Sequence, residues 1–458
     1  MSKKLMIPVK KNDRLTVEVI DLTHEGMGVA KVDGFPLFIE NALPGERVQI
    51  HVIKVLKKFA FAKVVEYETK SPHRVESADV SLMRTGIAPF MHLEYPQQIQ
   101  FKRQQIVNVM ERIAKMPEVE VLESIGMQTP YKYRNKAQIP VRMINGVLET
   151  GFYRKNSHHL VPLEDYYIQD PQIDEAILIT RDVLRKLAIE AYNEEHNTGD
   201  IKHIVVRKGH YTNELMIILV TRTSRLPKVE KIVAEILAKL PETQSIMQNI
   251  NEKVTNVILG NKNKVLHGKA TIKDHLMGNA FNISPQSFYQ VNTEMAEILY
   301  KKAIDLAQLT EQDIVIDAYC GIGTIGQSFA KRVKHVYGVE IVPEAIEDAK
   351  VNAVENGIEN TTYVAGPAEI VMQKWVDEGI EPTVIFVDPP RKGLAESFIR
   401  SSVEVQPERI VYISCNAATF ARDVAIYKEL GYELSEVTPV DLFPQTHHVE
   451  CVGLLTRK

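Results

Sequence analysis

The sequence predicts an α/β chain in three parts: a small β-barrel over residues 1–70, a mixed α+β domain over 71–285, and a doubly wound parallel α/β domain over 286–458. Three observations carry this. The first 70 residues alternate apolar and polar positions and are punctuated by Gly26, Gly28, Gly34, Pro44 and Gly45, the pattern of short barrel strands. From about residue 286, "DIVIDAYCGIGTIGQSFA", "HVYGVEIVPEAIEDAKVNAVENG", "PTVIFVDPPRKG" and "ERIVYISCNAATFARD" each run from a β-branched stretch through a turn into a helix. And 458 residues exceed one ordinary core, since domains hold roughly 100–200.

The barrel segment carries 12 Lys and Arg against 9 Asp and Glu, with Lys54, Lys57, Lys58 and Lys63 grouped near its end. Such lysines either guard a strand edge or meet RNA phosphates. "TKSPHRVES", broken by Pro72, is a linker. The spacing then predicts one helix over 95–115, with Ile99, Ile106, Val109, Met110 and Ile113 on a stripe expected to pack on the C-terminal domain. Beyond it, "YKYRNKAQIPVRMINGVLETGFYRKNSHH" interleaves Tyr131, Tyr133, Phe152 and Tyr153 with Lys132, Arg134, Lys136, Arg142, Arg154 and Lys155. Aromatic faces among cations suit single-stranded nucleic acid, and half-exposed strands share the pattern.

A net charge of −4 disfavours a protein that coats nucleic acid indiscriminately, so basic faces have to be local. No apolar run approaches the ~18 residues of a membrane helix and the start lacks a signal-peptide core, so a cytoplasmic protein is expected. Cys320, Cys415 and Cys451 are too few and too scattered for a disulfide framework or a metal site. Any special cysteine therefore acts alone.

Gly321-Ile322-Gly323-Thr324-Ile325-Gly326 is G-x-G-x-x-G after a strand, which alone fits a dinucleotide site. The acids around it point elsewhere. Asp317, Glu340 and Asp388 all end strands, and open α/β sheets bind ligands at that edge. A ligand with a positive centre and two ribose hydroxyls, S-adenosyl-L-methionine (SAM), suits three acids better than a pyrophosphate. A helix N-cap is the alternative for each, above all for Asp317.

Cys415 ends its strand at the same edge, either as a nucleophile toward a second substrate or as a small buried hydrophobe. The last strand, starting near Val449, is expected to run antiparallel and so to begin where the others end, bringing Glu450 to Cys415. A nucleophile and a base beside a methyl donor suit methylation at C5 of uracil. That carbon is too electron-poor to take a methyl until sulfur adds at C6. His447 and His448 are left as loop residues without a role.

Taken together, "SCNAAT", "HHVECV", "SFYQVN" and "YRNKAQIPV" resemble the motifs of the TrmA/RumA group of RNA (uracil-5-)-methyltransferases, and within it the RlmCD type acting on bacterial 23S rRNA. The resemblance spans essentially the whole chain, with Ala417 standing where the nucleophile motif usually has proline. It implies a Rossmann-like class I SAM-dependent methyltransferase domain, Cys415 as nucleophile and Glu450 as base. By the same match Gln290, Tyr319, Gly321, Glu340 and Asp388 hold SAM, while Arg134 lines the target-base pocket; Lys136 of the aromatic and basic segment and Lys57 and Lys58 of the barrel's lysine group are expected as further RNA contacts. "GVAKVDGFPLFIENALPGE" is similar to a TRAM domain, an OB-like RNA-binding barrel. Many relatives hold an iron–sulfur cluster on four cysteines. The matching places here carry Asp79, Thr85, Ala88 and Tyr166, so no iron–sulfur cluster and no metal are expected.

The expected activity is 5-methyluridine formation in 23S rRNA, with the target uridine flipped from its stack, at one or two sites. A tRNA-directed enzyme of the same chemistry, or an RNA-remodelling factor with a silent site, are the alternatives.

Overall fold

The computed structural model describes residues 7–76, 80–155 and 157–458, leaving Asp79 outside the described residues. The chain forms two compact units, one of the described residues up to Gln105 with Gln445–His447, the other of Ile106–Pro444 with His448–Lys458.

The first unit holds a six-stranded sheet in the order Arg14–Glu18, Arg47–Val55, Ala60–Thr69, Phe35–Glu40, Gly28–Val32, Asp21–Leu22. Its first and last strands are two pieces of one run, interrupted at Val19-Ile20, so the sheet closes on itself. Val19 N donates to Glu46 O and Ile20 N to Val29 O at 2.9 and 2.8 Å. Alternation puts Val17, Ala30, Leu37, Ile39, Val48, Ile50 and Val52 inside. Bulges between Arg47–Val55 and Ala60–Thr69 supply the bend that closure needs. Lys57 and Lys58 are exposed in the turn joining those strands, where Leu56 N donates to Phe59 O.

The helix expected over 95–115 is α-helical only over Tyr95–Val109, and Met110–Ala114 form a π turn. The widened turn shifts the buried stripe by one residue. Ile106, Met110 and Ala114 are buried, whereas Ile113, expected on the stripe, is 43% exposed.

The second unit carries two large sheets. A seven-stranded sheet runs Leu160–Pro162, Val147–Tyr153, Lys136–Ile144, Ile201–Lys208, Leu215–Thr221, Thr243–Ile250, Lys262–Gly268. An eight-stranded sheet runs Thr361–Ala365, His335–Glu340, Ile314–Ala318, Val384–Val387, Arg409–Ser414, Glu450–Arg457, Tyr432–Val440, Glu120–Val121. The first five of its strands are parallel, and Glu450–Arg457 is antiparallel to both its neighbours.

Within the second unit, residues 106–285 and 286–458 meet over a continuous core. Val205, Met216 and Ile218 of the first sheet share a cluster with Val315, Val411 and Val452 of the second, joined by Ile272 and Phe281 of a hairpin and Leu299 of the helix Thr293–Ala307. The break in pattern near residue 286 is a change of sheet, not of core. On the other face of the eight-stranded sheet, Ile316, Ile385 and Tyr412 pack with Trp375, Phe420 and the stripe Ile106, Met110, Ala114. Among the described residues no helix is long and apolar enough to cross a membrane.

Candidate active site

The glycine turn follows directly on Ile314–Ala318. Tyr319, Gly321 and Gly323 all have positive φ (67°, 55° and 84°), a path that returns the chain into the helix Thr324–Phe329. Asp317, 1% exposed, accepts the Gly326 amide at 2.8 Å. A Cβ on Gly326 would stand 2.7 Å from that same carboxylate oxygen, so glycine lets the helix close on the strand. Asp317 thus acts as the helix anchor that the N-cap alternative described. Burial pushes its carboxyl up to about 7, with Asp388 and Glu340 adding to the rise and the Gly326 amide opposing it.

Glu340 reaches the same turn from the next strand. Its two oxygens accept from Gly321 N (3.3 Å) and Val342 N (3.1 Å), and a Cβ on Gly321 would meet open space. Tyr319 is half-buried with its ring 5.8 Å from Phe398. Gln290 donates to the Tyr300 hydroxyl at 3.3 Å, and burial raises that phenol well above its usual range with Asp388 and Asp317 contributing. Gln290, Tyr300, Asp317 and Asp388 therefore lie near one another. Tyr300 escaped sequence reasoning because it sits on the apolar stripe of a helix.

The nucleophile candidate lies one strand further along. Arg409–Ser414 and Glu450–Arg457 pair antiparallel with Ser414 opposite Cys451, which sets Cys415 opposite Glu450 at the edge where the parallel strands end. Asn416 turns the chain, its Oδ1 accepting from Ala418 N and Thr419 N while its Nδ2 donates to Arg391 O at 3.0 Å. Cys415 is left half-buried at the mouth of the turn. Its thiol is pushed up to about 12 by burial and by Glu450 and Asp388, against the pull of Arg391. Glu450, 5% exposed, is pushed up to about 8 by burial and Asp388, again with Arg391 opposing. Half-buried Asp388 is raised to about 7 by burial alone. Neither carboxylate accepts a hydrogen bond among the described residues.

Arg391 is the residue sequence reasoning missed. It stands three positions after Asp388 in "DPPRKG", the signal that could have marked it. Its Nη2 lies 3.4 Å from His448 Nε2, so His448, left without a role, borders the site.

The segment "YRNK" reaches this crevice through the backbone and side chain of Asn135. Asn135 N donates to Val291 O (2.9 Å), and Asn135 Nδ2 donates to Gln290 O (2.9 Å) and Thr293 Oγ1 (3.0 Å). Arg134 and Lys136 flank Asn135. Burial lowers the Arg134 guanidinium, and burial with Arg207 and Arg134 pushes Lys136 down to about 7. Lys57 and Lys58 belong to the barrel unit.

Several members of the aromatic and basic interleaving find partners within the protein, while Arg154 and Lys155 are exposed. Tyr133 is buried and donates to Pro444 O. Lys132 pairs with Asp165 at 2.6 Å, and Phe152 packs on Tyr166 with ring centres 5.6 Å apart. Arg142 pairs with Glu194 and lies over the rings of Tyr153 and Tyr192. Of the aromatic set, Tyr131 remains 45% exposed.

At the places matching cluster cysteines, Ala88 and Tyr166 are buried and Thr85 donates to Leu82 O. Among the described residues no group of three His, Cys, Asp or Glu is arranged to hold a metal ion.

These residues fit SAM. Asp388 has an unpartnered carboxylate that would suit a cationic centre, Glu340 is held at the turn by two backbone amides where ribose hydroxyls would meet it, and the Gly321 side of the turn is open. A parallel sheet closed by one antiparallel strand, with a glycine turn and acids at its edge and a barrel ahead of it, defines a class I SAM-dependent methyltransferase with an N-terminal RNA-binding domain.

The chain belongs to the tRNA (uracil-5-)-methyltransferase family, whose sequence model matches residues 94–458, and a TRAM-domain model matches residues 8–65. It is 55% identical over 447 residues to an uncharacterized RNA methyltransferase of Streptococcus agalactiae, covering 98% of this chain and 99% of that one. An uncharacterized RNA methyltransferase of Enterococcus faecalis is 54% identical over 450 residues, covering 98% of each chain. Among solved structures, the Pyrococcus abyssi tRNA (uracil-54, C5)-methyltransferase in complex with S-adenosyl-L-homocysteine superposes with a TM-score of 0.78 at 26% identity. That match covers 96% of this chain and 99% of the archaeal one. The protein is accordingly a SAM-dependent RNA methyltransferase of the TrmA/RumA type with a TRAM domain.

Proposed function

We propose that the enzyme converts a uridine of 23S rRNA into 5-methyluridine through a covalent intermediate on Cys415. The observation that carries the reading is the strand register, with Ser414 opposite Cys451, which supports Cys415 and Glu450 facing each other beside Asp388.

As a thiolate, Cys415 Sγ adds to C6 of the uracil, and the C5–C6 π pair moves to C5 and O4. SAM, which Gln290, Tyr319, Gly321, Glu340 and Asp388 would hold, would supply an electrophilic methyl group and leave as S-adenosyl-L-homocysteine. Once C5 carries the methyl, Glu450 takes the C5 proton, the C5–C6 double bond re-forms and the thiolate leaves. Arg391 favours the ionised form of both groups. Arg134 and Lys136, at the Gln290 end of the crevice, hold the flipped nucleotide, while the barrel and the segment 71–285 hold the surrounding RNA.

A tRNA substrate is the second reading. The archaeal tRNA enzyme aligns with 96% of this chain, so the overall fold is compatible with either RNA. Mapping 5-methyluridine in 23S rRNA and in tRNA after incubation with SAM separates the two, and label confined to tRNA overturns the rRNA reading. The covalent step is tested on RNA carrying 5-fluorouridine. Fluorine blocks proton removal, so an adduct should accumulate on wild-type protein and be absent from Cys415→Ala. Methylation of ordinary RNA with no trapped adduct would falsify the scheme.

A further inference from the structure

The seven-stranded sheet ends on Lys262–Gly268, "KNKVLHG", which among the described residues pairs only with Thr243–Ile250. All seven residues are exposed or half-exposed, so apolar burial does not account for the strand. Its neighbour is buried along nearly its whole length, and Lys262–Gly268 covers that edge while leaving its own free. Lys253, Lys262, Lys264 and Lys269 make no ion pair among the described residues, whereas Lys186, Lys208 and Lys273 of the same unit each do. Glu252 is the lone acid in residues 251–269.

This basic edge abuts the loop that carries Gln290. Between the two lysines, Asn263 donates to Gln286 Oε1 at 2.7 Å, and Gln286 donates to Gly260 O at 3.2 Å. The loop is fixed from beneath. Buried Arg207 donates through Nη1 to the carbonyls of Ser284 (2.7 Å), Pro285 (3.3 Å) and Ser287 (2.8 Å), and the Ser284 and Ser287 hydroxyls lie 2.6 Å apart. On this clamped backbone Phe288 stands 66% exposed. Unpaired ammonium groups along a strand, beside a flat apolar ring whose backbone is already ordered, match a single-stranded polyanion that carries flat bases.

Resting on the RNA reading above, we propose that the strand Lys262–Gly268 is an RNA-contact surface outside the catalytic crevice, where Lys262 and Lys264 neutralise phosphates of the strand that flanks the target uridine. The competing explanation is that lysines on a free strand edge only deter edge-to-edge pairing. It predicts unchanged RNA affinity and some self-association on their removal.

The test is Lys262→Ala/Lys264→Ala in the full chain, with binding of an rRNA fragment measured over a series of salt concentrations. Two lost phosphate contacts on a single strand should lower the slope of log K against log salt by about 1.4. Affinity should fall roughly five- to tenfold at 0.15 M salt. KM for RNA should rise in parallel with kcat unchanged. Lys262→Gln/Lys264→Gln serves if the alanine pair self-associates. Wild-type trapping on 5-fluorouridine RNA reports the catalytic reading separately. Normal trapping together with unchanged affinity and salt slope in both double variants leaves the strand as an edge guard and overturns the proposal.

Discussion

Cys415 and Glu450 are held where their neighbours oppose ionisation. With the carboxyl pushed to about 8 and the thiol to about 12, both are mostly protonated at neutral pH in the resting protein. Raising the pH from 6 to 9 removes protons from both, so the rate of adduct formation on 5-fluorouridine RNA should rise throughout that window. A rate that is flat across it argues that neither group limits the covalent step. Glu450→Gln separates the two roles. Removing a negative neighbour lowers the thiol pKa, so iodoacetamide should alkylate Cys415 faster than in wild type at pH 8. Turnover should nonetheless fall about 10²- to 10⁴-fold for loss of a general base, with methylated adduct accumulating on ordinary RNA. Slower alkylation and no adduct would remove Glu450 from this place.

At the scale of elements, strand ends were legible and packing-dependent shifts were not. Cys415 and Glu450 could be paired from sequence because a β-branched run fixes where a strand stops and the direction of the last strand fixes which end it presents. The π turn at Met110–Ala114 left no mark, since Ile113 fits an α-helical stripe as well as Ala114 does and only contact with Phe420 and Tyr427 decides between them. Arg142 and Tyr133 looked like RNA ligands because Glu194 and Pro444, which occupy them, are remote in sequence. Arg391 was hidden because Cys415 and Glu450, whose ionised forms it favours, are remote in sequence. The glycine turn offers a direct check. Gly326→Ala places a methyl 2.7 Å from the Asp317 carboxylate and should cost about 1–3 kcal/mol in chemical denaturation and weaken SAM binding. Unchanged stability would mean that the helix does not close on the strand as tightly as the Asp317–Gly326 bond implies.

Over the whole molecule, three carboxyls, two buried and that of Asp388 half-buried, meet at one sheet edge, with Asp317 and Asp388 raised to about 7 and Glu450 to about 8. Each lies above its unfolded value of roughly 4, so each holds a proton more tightly in the folded chain. The stability they contribute is full below about pH 4 and is lost as pH rises through 7 and 8. The resting protein should therefore melt at lower temperature at pH 8.5 than at pH 6. A cationic ligand reverses this preference, because a sulfonium favours ionised carboxylates whereas the thioether of S-adenosyl-L-homocysteine does not. Binding SAM should consequently release protons, and its affinity relative to S-adenosyl-L-homocysteine should climb from pH 6 to 8.5 by at most about tenfold per pH unit for one coupled proton. Calorimetric titration of both ligands in buffers of different ionisation enthalpy measures that proton release directly. Equal release for the two ligands, with a constant affinity ratio across the window, would show that these acids do not face the sulfonium and that the crevice owes its selectivity to the glycine turn and Glu340.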